Sequence, residues 1–304
     1  MGANEFSGII VVDKPANITS ARVVAVIKKR LGARKVGHTG TLDPFATGVL
    51  ICCINKATKL ARFFLQGWKK YTAVLHLGIE TDTQDSTGSI ISTSDRIDCS
   101  EKKIQSVIQQ YEGTIEQFPP LYSALKYKGV ALYKLARSGK PVQKPARRVF
   151  ISYIKILEIR LPFIRFETFC SAGTYIRTLC ADIGTSLGCG GHLKELRRTA
   201  SSGFTLKEAV TLSELEKLTL AGRGTDRLIS MTNALPDMPQ HLADKALTEK
   251  IKQGNTITKN DIRSCQTDDP EGYIKIVDKN RNLIAVIKSL KESHKYKYIV
   301  SFVE

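Results

Sequence analysis

A chain of 304 residues is long enough to bury a core without staples, and its seven cysteines form an odd set with no C-x-x-C pair, which argues against a disulfide scaffold. The net charge of +17 points to a polyanionic partner. No basic-then-apolar leader opens the chain and no run of about 18 apolar residues occurs, so a reduced cytoplasmic protein is expected, neither secreted nor membrane-spanning.

GIIVVDKP (8–15) is a short apolar run closed by Pro15 and predicts a buried strand. A helix should follow, with Ser20 as N-cap and Val24, Ile27 and Leu31 at helical spacing. Lys28, Lys29 and Arg30 complement its dipole in the last turn, and Gly32 stops it. GVLICCI (48–54) and the alternating Tyr71–Leu77 stretch predict strands. A second helix starts at Ser100, with Ile104, Val107, Ile108 and Tyr111 on one stripe. Residues 163–170 read as a strand that leads into a helix carrying Ile176, Leu179, Ile183 and Leu187, closed by Gly188. Another helix is expected near 212–220. LPDMPQ (235–240) is the best boundary, and 240–304 should form a small, mostly β module.

The charge is unevenly spread. Residues 1–70 carry 12 Lys/Arg against Glu5, Asp13 and Asp43, a net +9; 71–120 carry −5; 121–160 carry +9 with Glu158 the sole acid. The segment 118–148 contains no acid, and Tyr122, Tyr127 and Tyr133 are interleaved with its cations. That combination suits nucleic acid, whose phosphates pair with Lys/Arg and whose unstacked bases lie on aromatic rings.

Nucleotide-triphosphate chemistry is disfavoured because GARKVGHTG lacks the Lys-Ser/Thr ending of a P-loop. Metal chemistry is disfavoured by the scatter of His38, His76, His192, His241 and His294. There is neither a G-x-S-x-G elbow nor a plain Cys-His nucleophile. What stands out is Asp43, in GHTGTLDPFATGVL (37–50). An Asp between Leu42 and Pro44 is by itself an ordinary turn residue. Two features weigh against that reading: Gly37, Gly40 and Gly48 allow close backbone approach, and Arg177, near a strand-to-helix junction, could hold such a carboxylate ionised.

GHTGTLDPFATGVL resembles the catalytic motif of the TruB-type tRNA pseudouridine synthases. The likeness extends in order through VVDKP (11–15), ATKLARFF (57–64), KKYTAVLHLGIETDTQDSTG (69–88), PPLYSALKYKGVALYKLARSG (119–139) and CSAGTYIRTLCADIGTSLGCGGHLKELRRT (170–199). It is dense over about the first 200 residues and looser in the tail. RRTASSGF (197–204) departs from the family by a serine in place of a glycine.

The resemblance implies an α/β (α+β) pseudouridine synthase fold with a central mixed sheet over 1–236, and a PUA-like RNA-binding β-barrel over 240–304. It implies isomerisation of uridine 55 in the tRNA T loop, with no metal or other cofactor, by a monomer that needs no protein partner. Asp43 would be the catalytic carboxylate and Arg177 its partner. Tyr71 would stack on the base and assist removal of the C5 proton, and Leu196 would pack the pocket. Tyr175, Lys14 and Lys59 would line it or touch phosphate, and His38 would fill the space left by the flipped nucleotide. Lys126, Lys134, Arg137, Arg147 and Arg148 would contact the RNA backbone of the T arm. The alternatives are a tRNA-binding or folding chaperone and a guide-RNA-dependent synthase subunit.

Overall fold

The computed structural model describes residues 6–262, 272–290 and 294–303. Its centre is a mixed sheet whose main path runs, in spatial order, Val210–Thr211, Gly8–Lys14, Thr47–Ile54, Gly191–Ser201, Lys69–Leu77, Phe163–Cys170, Arg147–Arg160 and Gly113–Gln117. Neighbours are antiparallel except at two places, Gly8–Lys14 with Val210–Thr211 and Thr47–Ile54 with Gly191–Ser201.

The second exception builds the site. The two strands meet only at Arg197 with Thr47 and Arg198 with Gly48, so the halves of the sheet touch at a narrow seam. Gly48 is required there: its φ is 105°, and a Cβ would lie 2.1 Å from the carbonyl oxygen of Arg198. The loop carrying Asp43 enters the sheet at this seam.

Each face of the sheet is buried by residues whose alternation matches the pleat. On one face Tyr71, Ala73, Leu75, Ile164 and Phe166 pack against Leu179 and Ile183 of the helix Ile176–Leu187 and against Ile104 and Ile108 of the helix Glu101–Gln109. On the other half, Ile10, Val12, Leu50 and Cys52 pack against Val23 and Ile27 of the helix Ser20–Leu31. Each such large apolar side chain contributes about 1.5–3 kcal/mol by leaving water.

Both long helices end on glycines in the left-handed region, Gly32 at φ 62° and Gly188 at φ 84°. Ser100 caps the helix Glu101–Gln109 by accepting from the Lys103 amide. The cap of the first helix differs from expectation. Thr19, not Ser20, accepts from the Arg22 amide, because the Ser20 hydroxyl is occupied elsewhere.

Beyond residue 239, the strands Gln240–Leu242, Tyr273–Val277, Leu283–Leu290, Lys295–Ser301 and Ile257–Thr258 form a separate five-stranded sheet, in that order, curled around the helix Lys245–Lys252. The module is docked on the central sheet: Val277, Leu283, Val286 and Phe302 join one apolar cluster with Ile9, Val11, Ile51, Leu60 and Phe64. Among the described residues no helix is long and apolar enough to cross a membrane.

Candidate active site

A cleft of about 370 Å³ opens at the seam. Asp43 and Leu42 line it from the loop, and Tyr71 and Lys69 from one strand. Leu196 and Arg198 come from the neighbouring strand, Tyr175 and Arg177 from the start of a helix, and Ser123 and Leu125 from the basic segment.

Asp43 is held from below and behind. Ser20 is buried, and its hydroxyl both accepts from the Leu42 amide at 2.9 Å and donates to the Leu42 carbonyl at 3.0 Å. Lys14 is fully buried, and its ammonium donates to the carbonyls of Pro15 (2.9 Å), Ile18 (2.7 Å) and Pro44 (3.1 Å). The residues on either side of Asp43 are therefore both fixed by buried side chains. Burial lowers the Lys14 pKa to about 8 despite the nearby Asp43 charge.

Arg177 lies with its Nε 3.0 Å from Asp43 Oδ2. The rest of the guanidinium is also engaged, donating to the carbonyls of Thr83 (3.0 Å) and Tyr122 (2.9 Å) and lying 3.4 Å from Asp85 Oδ2. Arg177 is 4% exposed and Asp85 5%, whereas Asp43 is 33% exposed, so the open end of this acid–arginine–acid array is Asp43. Asp85 is further held by the Thr83 hydroxyl at 2.8 Å and by the Thr87 amide and hydroxyl at 2.9 and 2.6 Å. Burial pushes the Asp43 pKa above the ordinary carboxylate range; Arg177 and, less strongly, Lys14 oppose that push, while Asp85 adds to it.

Tyr71 is 8% exposed on the wall of the cleft. Tyr175 stacks under the Arg147 guanidinium at 4.5 Å, and its backbone exchanges hydrogen bonds with the Gln117 side chain. Leu196 and Leu42 supply apolar wall.

Residues 28–176 match the family model described as TruB family pseudouridylate synthase (N terminal domain), and 177–235 match the tRNA pseudouridylate synthase B C-terminal domain. The chain belongs to the TruB family. The two matched segments meet in the first turn of the helix Ile176–Leu187, which packs into the central core, so both contribute to one sheet system.

Proteins named tRNA pseudouridine synthase B are similar to this TruB-family chain. The one from Alkaliphilus oremlandii is 42% identical over 96% of each chain, and the one from Syntrophotalea carbinolica 47% identical over 77% of this chain and 76% of its own. Among solved structures, one described as a Cbf5-Nop10-Gar1 complex is similar with a TM-score of 0.75 and 30% identity over 97% of this chain and 85% of that one. A second, of an H/ACA RNP bound to a substrate RNA containing 2′-deoxyuridine, has a TM-score of 0.70 and 28% identity over 98% of this chain and 84% of that one. The expected α/β fold with a central mixed sheet and a small C-terminal β module is the observed one.

Two residues expected at the pocket lie elsewhere or face away. Lys14 does not reach the cleft surface, because its charge can be kept in a dry interior only by donating to the three carbonyls. Lys59 points to the C-terminal module, donating to the Ser301 carbonyl at 2.9 Å with its ammonium 5.6 Å from the Phe302 ring centre. Lys14 is therefore closed off from a phosphate, while Lys59 is exposed at the contact with the C-terminal module and does not line the cleft. His38 ends the short strand Val36–His38, beside the loop but outside the ring of residues lining the cleft.

Of the expected backbone contacts, Arg147 lines the cleft. Arg148 is largely exposed beside Glu116. Lys126, Lys134 and Arg137 are exposed on a hairpin, Lys126–Tyr127 with Val130–Ala131, and on the helix Leu132–Arg137 that follows it.

Sequence reasoning missed Asp85 and Arg198. Asp85 sits in TDTQDSTG, where the Thr/Asp spacing reads as a surface turn. Arg198 is one of two adjacent arginines, and only strand alternation separates it from Arg197, which pairs with Asp13 at 2.7 Å and is 41% exposed.

Proposed function

We propose that the protein isomerises uridine 55 in the T loop of tRNA to pseudouridine, with Asp43 as its catalytic carboxylate. The observation that carries the reading is the buried Arg177 held 3.0 Å from a carboxylate that alone of its array opens into the cleft. The reaction breaks the bond between uracil N1 and ribose C1′, turns the base, joins C5 to C1′ and moves the C5 proton, in net, to N1. Nothing is gained or lost, so neither a cofactor nor a metal is needed. It does need a negative charge fixed beside C1′ as that carbon gains positive character, in a place that the bound nucleotide shields from water. Arg177 keeps Asp43 ionised and aimed for that purpose.

The base must leave its stack to reach such a cleft. Tyr71 stacks on it and takes part in removing the C5 proton, while Leu42, Leu196 and Leu125 exclude water. His38 stands at the rim to fill the vacated position. The cationic segment from Lys126 to Arg148 grips the T-arm phosphates, with Tyr127 and Tyr133 beside the cations of Lys128, Lys144 and Arg137. The C-terminal module adds RNA contacts, and the chain works in the cytoplasm as a monomer without a protein partner.

The test is to incubate unmodified tRNA with the wild type and with Asp43→Asn and to map pseudouridine. Full product from the variant would remove Asp43 from the chemistry. The likeness to Cbf5 complexes favours a second reading, action inside a guide-RNA particle, although the tRNA-named relatives are more similar in sequence. Modification of tRNA by the isolated chain excludes it; activity only on addition of guide RNA and further proteins supports it.

A further inference from the structure

We propose that Arg198 is a second positioning residue of the site, which pins both ends of the Asp43 loop and holds the Tyr71 hydroxyl in place on the same wall of the cleft. The inference rests on Tyr71 having the role given above. Arg198 is 2% exposed. Its Nε donates to the Val49 carbonyl at 2.7 Å and one terminal nitrogen to the Gly40 carbonyl at 2.9 Å, one on each side of Asp43. Its backbone occupies the seam, in register with Gly48 on one neighbouring strand and with Tyr71 on the other. Residues directly opposite in antiparallel strands point to the same face, and both Arg198 and Tyr71 line the cleft.

Arg177 spends its charge on two carboxylates, whereas Arg198 donates to two backbone carbonyls and, among the described residues, pairs with no carboxylate. A buried guanidinium without a carboxylate is costly to retain, and a cation serving only to pin a loop could have been replaced by a neutral donor. The residue in register opposite Arg198 on the antiparallel strand, on the same face and also lining the cleft, is Tyr71. Burial makes that phenol hard to ionise; the guanidinium opposes this, while the Cys170 thiol and the Asp43 carboxylate reinforce it. A phenol in such a place is a poor proton acceptor unless a cation stabilises its oxygen. Lys69, also in the cleft, is engaged by the Leu65 and Gly67 carbonyls and cannot substitute.

The experiment is a double-mutant cycle of Tyr71→Phe and Arg198→Met, read by single-turnover pseudouridine formation on unmodified tRNA and by tRNA binding. The expected result for Arg198→Met is a rate loss on the order of 100-fold with tRNA affinity changed by less than about threefold, and a double variant no slower than the slower single one. Losses that multiply would overturn the coupling. If Arg198→Met does not fold, Arg198→Gln replaces it in the cycle: it keeps a donor for the loop carbonyls and drops the charge, and its rate must fall with the same non-additivity toward Tyr71→Phe. Should Tyr71→Phe turn over at the wild-type rate, the hydroxyl has no role and the proposal fails. Asp43→Asn distinguishes that result from failure of the proposed reaction, because it would still be inactive.

Discussion

Arg177→Met tests whether the guanidinium acts on Asp43 through charge. At a separation of 3.0 Å, Coulomb's law gives roughly 1.4 kcal/mol in bulk water and 5–6 kcal/mol at an effective dielectric near 20. Asp43 is one-third exposed, so solvent screening places the useful figure low in that range, about 2–3 kcal/mol. The sign follows from the mechanism: Asp43 works ionised, so the rate falls as pH drops through its pKa. Burial already places that limb above the ordinary carboxylate range, and Arg177→Met should move it further up, because the opposing guanidinium charge is lost. The variant also leaves Asp85, 5% exposed, without its cation, so both proteins carry Asp85→Asn and the double variant is compared with Asp85→Asn alone, which removes the upward push of the Asp85 charge on Asp43 from both sides of the comparison. The assay is the single-turnover rate of pseudouridine formation between about pH 5 and 9, with circular dichroism at each pH. A limb that stays in place while the rate falls equally at every pH would refute the electrostatic reasoning and leave Arg177 an aiming role alone.

Three further outcomes are expected. Ser20→Ala removes both hydrogen bonds to Leu42 and orphans a buried amide; it should cost about 1–3 kcal/mol in urea unfolding, and lower the turnover rate more than tRNA affinity, since the loop it loosens carries Asp43. Gly48→Ala should give little or no folded protein on expression, because its Cβ would overlap the Arg198 carbonyl at a φ that L-residues avoid; a soluble variant with a wild-type melting temperature would show that the seam is looser than described. Binding of tRNA should weaken steeply with salt, with a log–log slope of magnitude roughly 4–5 for about five neutralised phosphates, and a flat response would sink the argument from the basic segment.

What was legible in the sequence was what local chemistry dictates. Gly32 and Gly188 had to end helices because the left-handed turn is cheap only for glycine, and they do. The strand expected at 163–170 spans those residues because alternation and the break at Ser171-Ala172-Gly173 are both local. The illegible part was the destination of polar side chains. Ser20 has the right chemistry for an N-cap, but a contact 22 residues away claims its hydroxyl and Thr19 takes the cap. Lys14 and Lys59 are placed at the pocket by the resemblance alone, and no local pattern distinguishes an ammonium ending in a cleft from one ending on carbonyls. The pairing of Asp43 with Arg177 was inferred from the need for a counter-charge; the third member, Asp85, had no such signal.

The three-membered array explains why a site in so basic a protein needs more than one acid. A lone Asp43 beside Arg177 would share a guanidinium free to turn toward solvent or toward RNA phosphate. Asp85 prevents this from the closed side: it is fixed by Thr83 and Thr87, and together with the Thr83 and Tyr122 carbonyls it determines the plane of the Arg177 guanidinium before any substrate arrives. Rigid donors of this kind require no reorganisation when charge develops. The Tyr122 carbonyl belongs to the same acid-free segment whose cations are proposed to grip the T arm. Binding of the arm and aiming of the carboxylate therefore meet at one side chain. A shift of that segment by RNA would be felt at Asp43 through Arg177, whereas Ser20 and Lys14 hold the opposite side of the loop still.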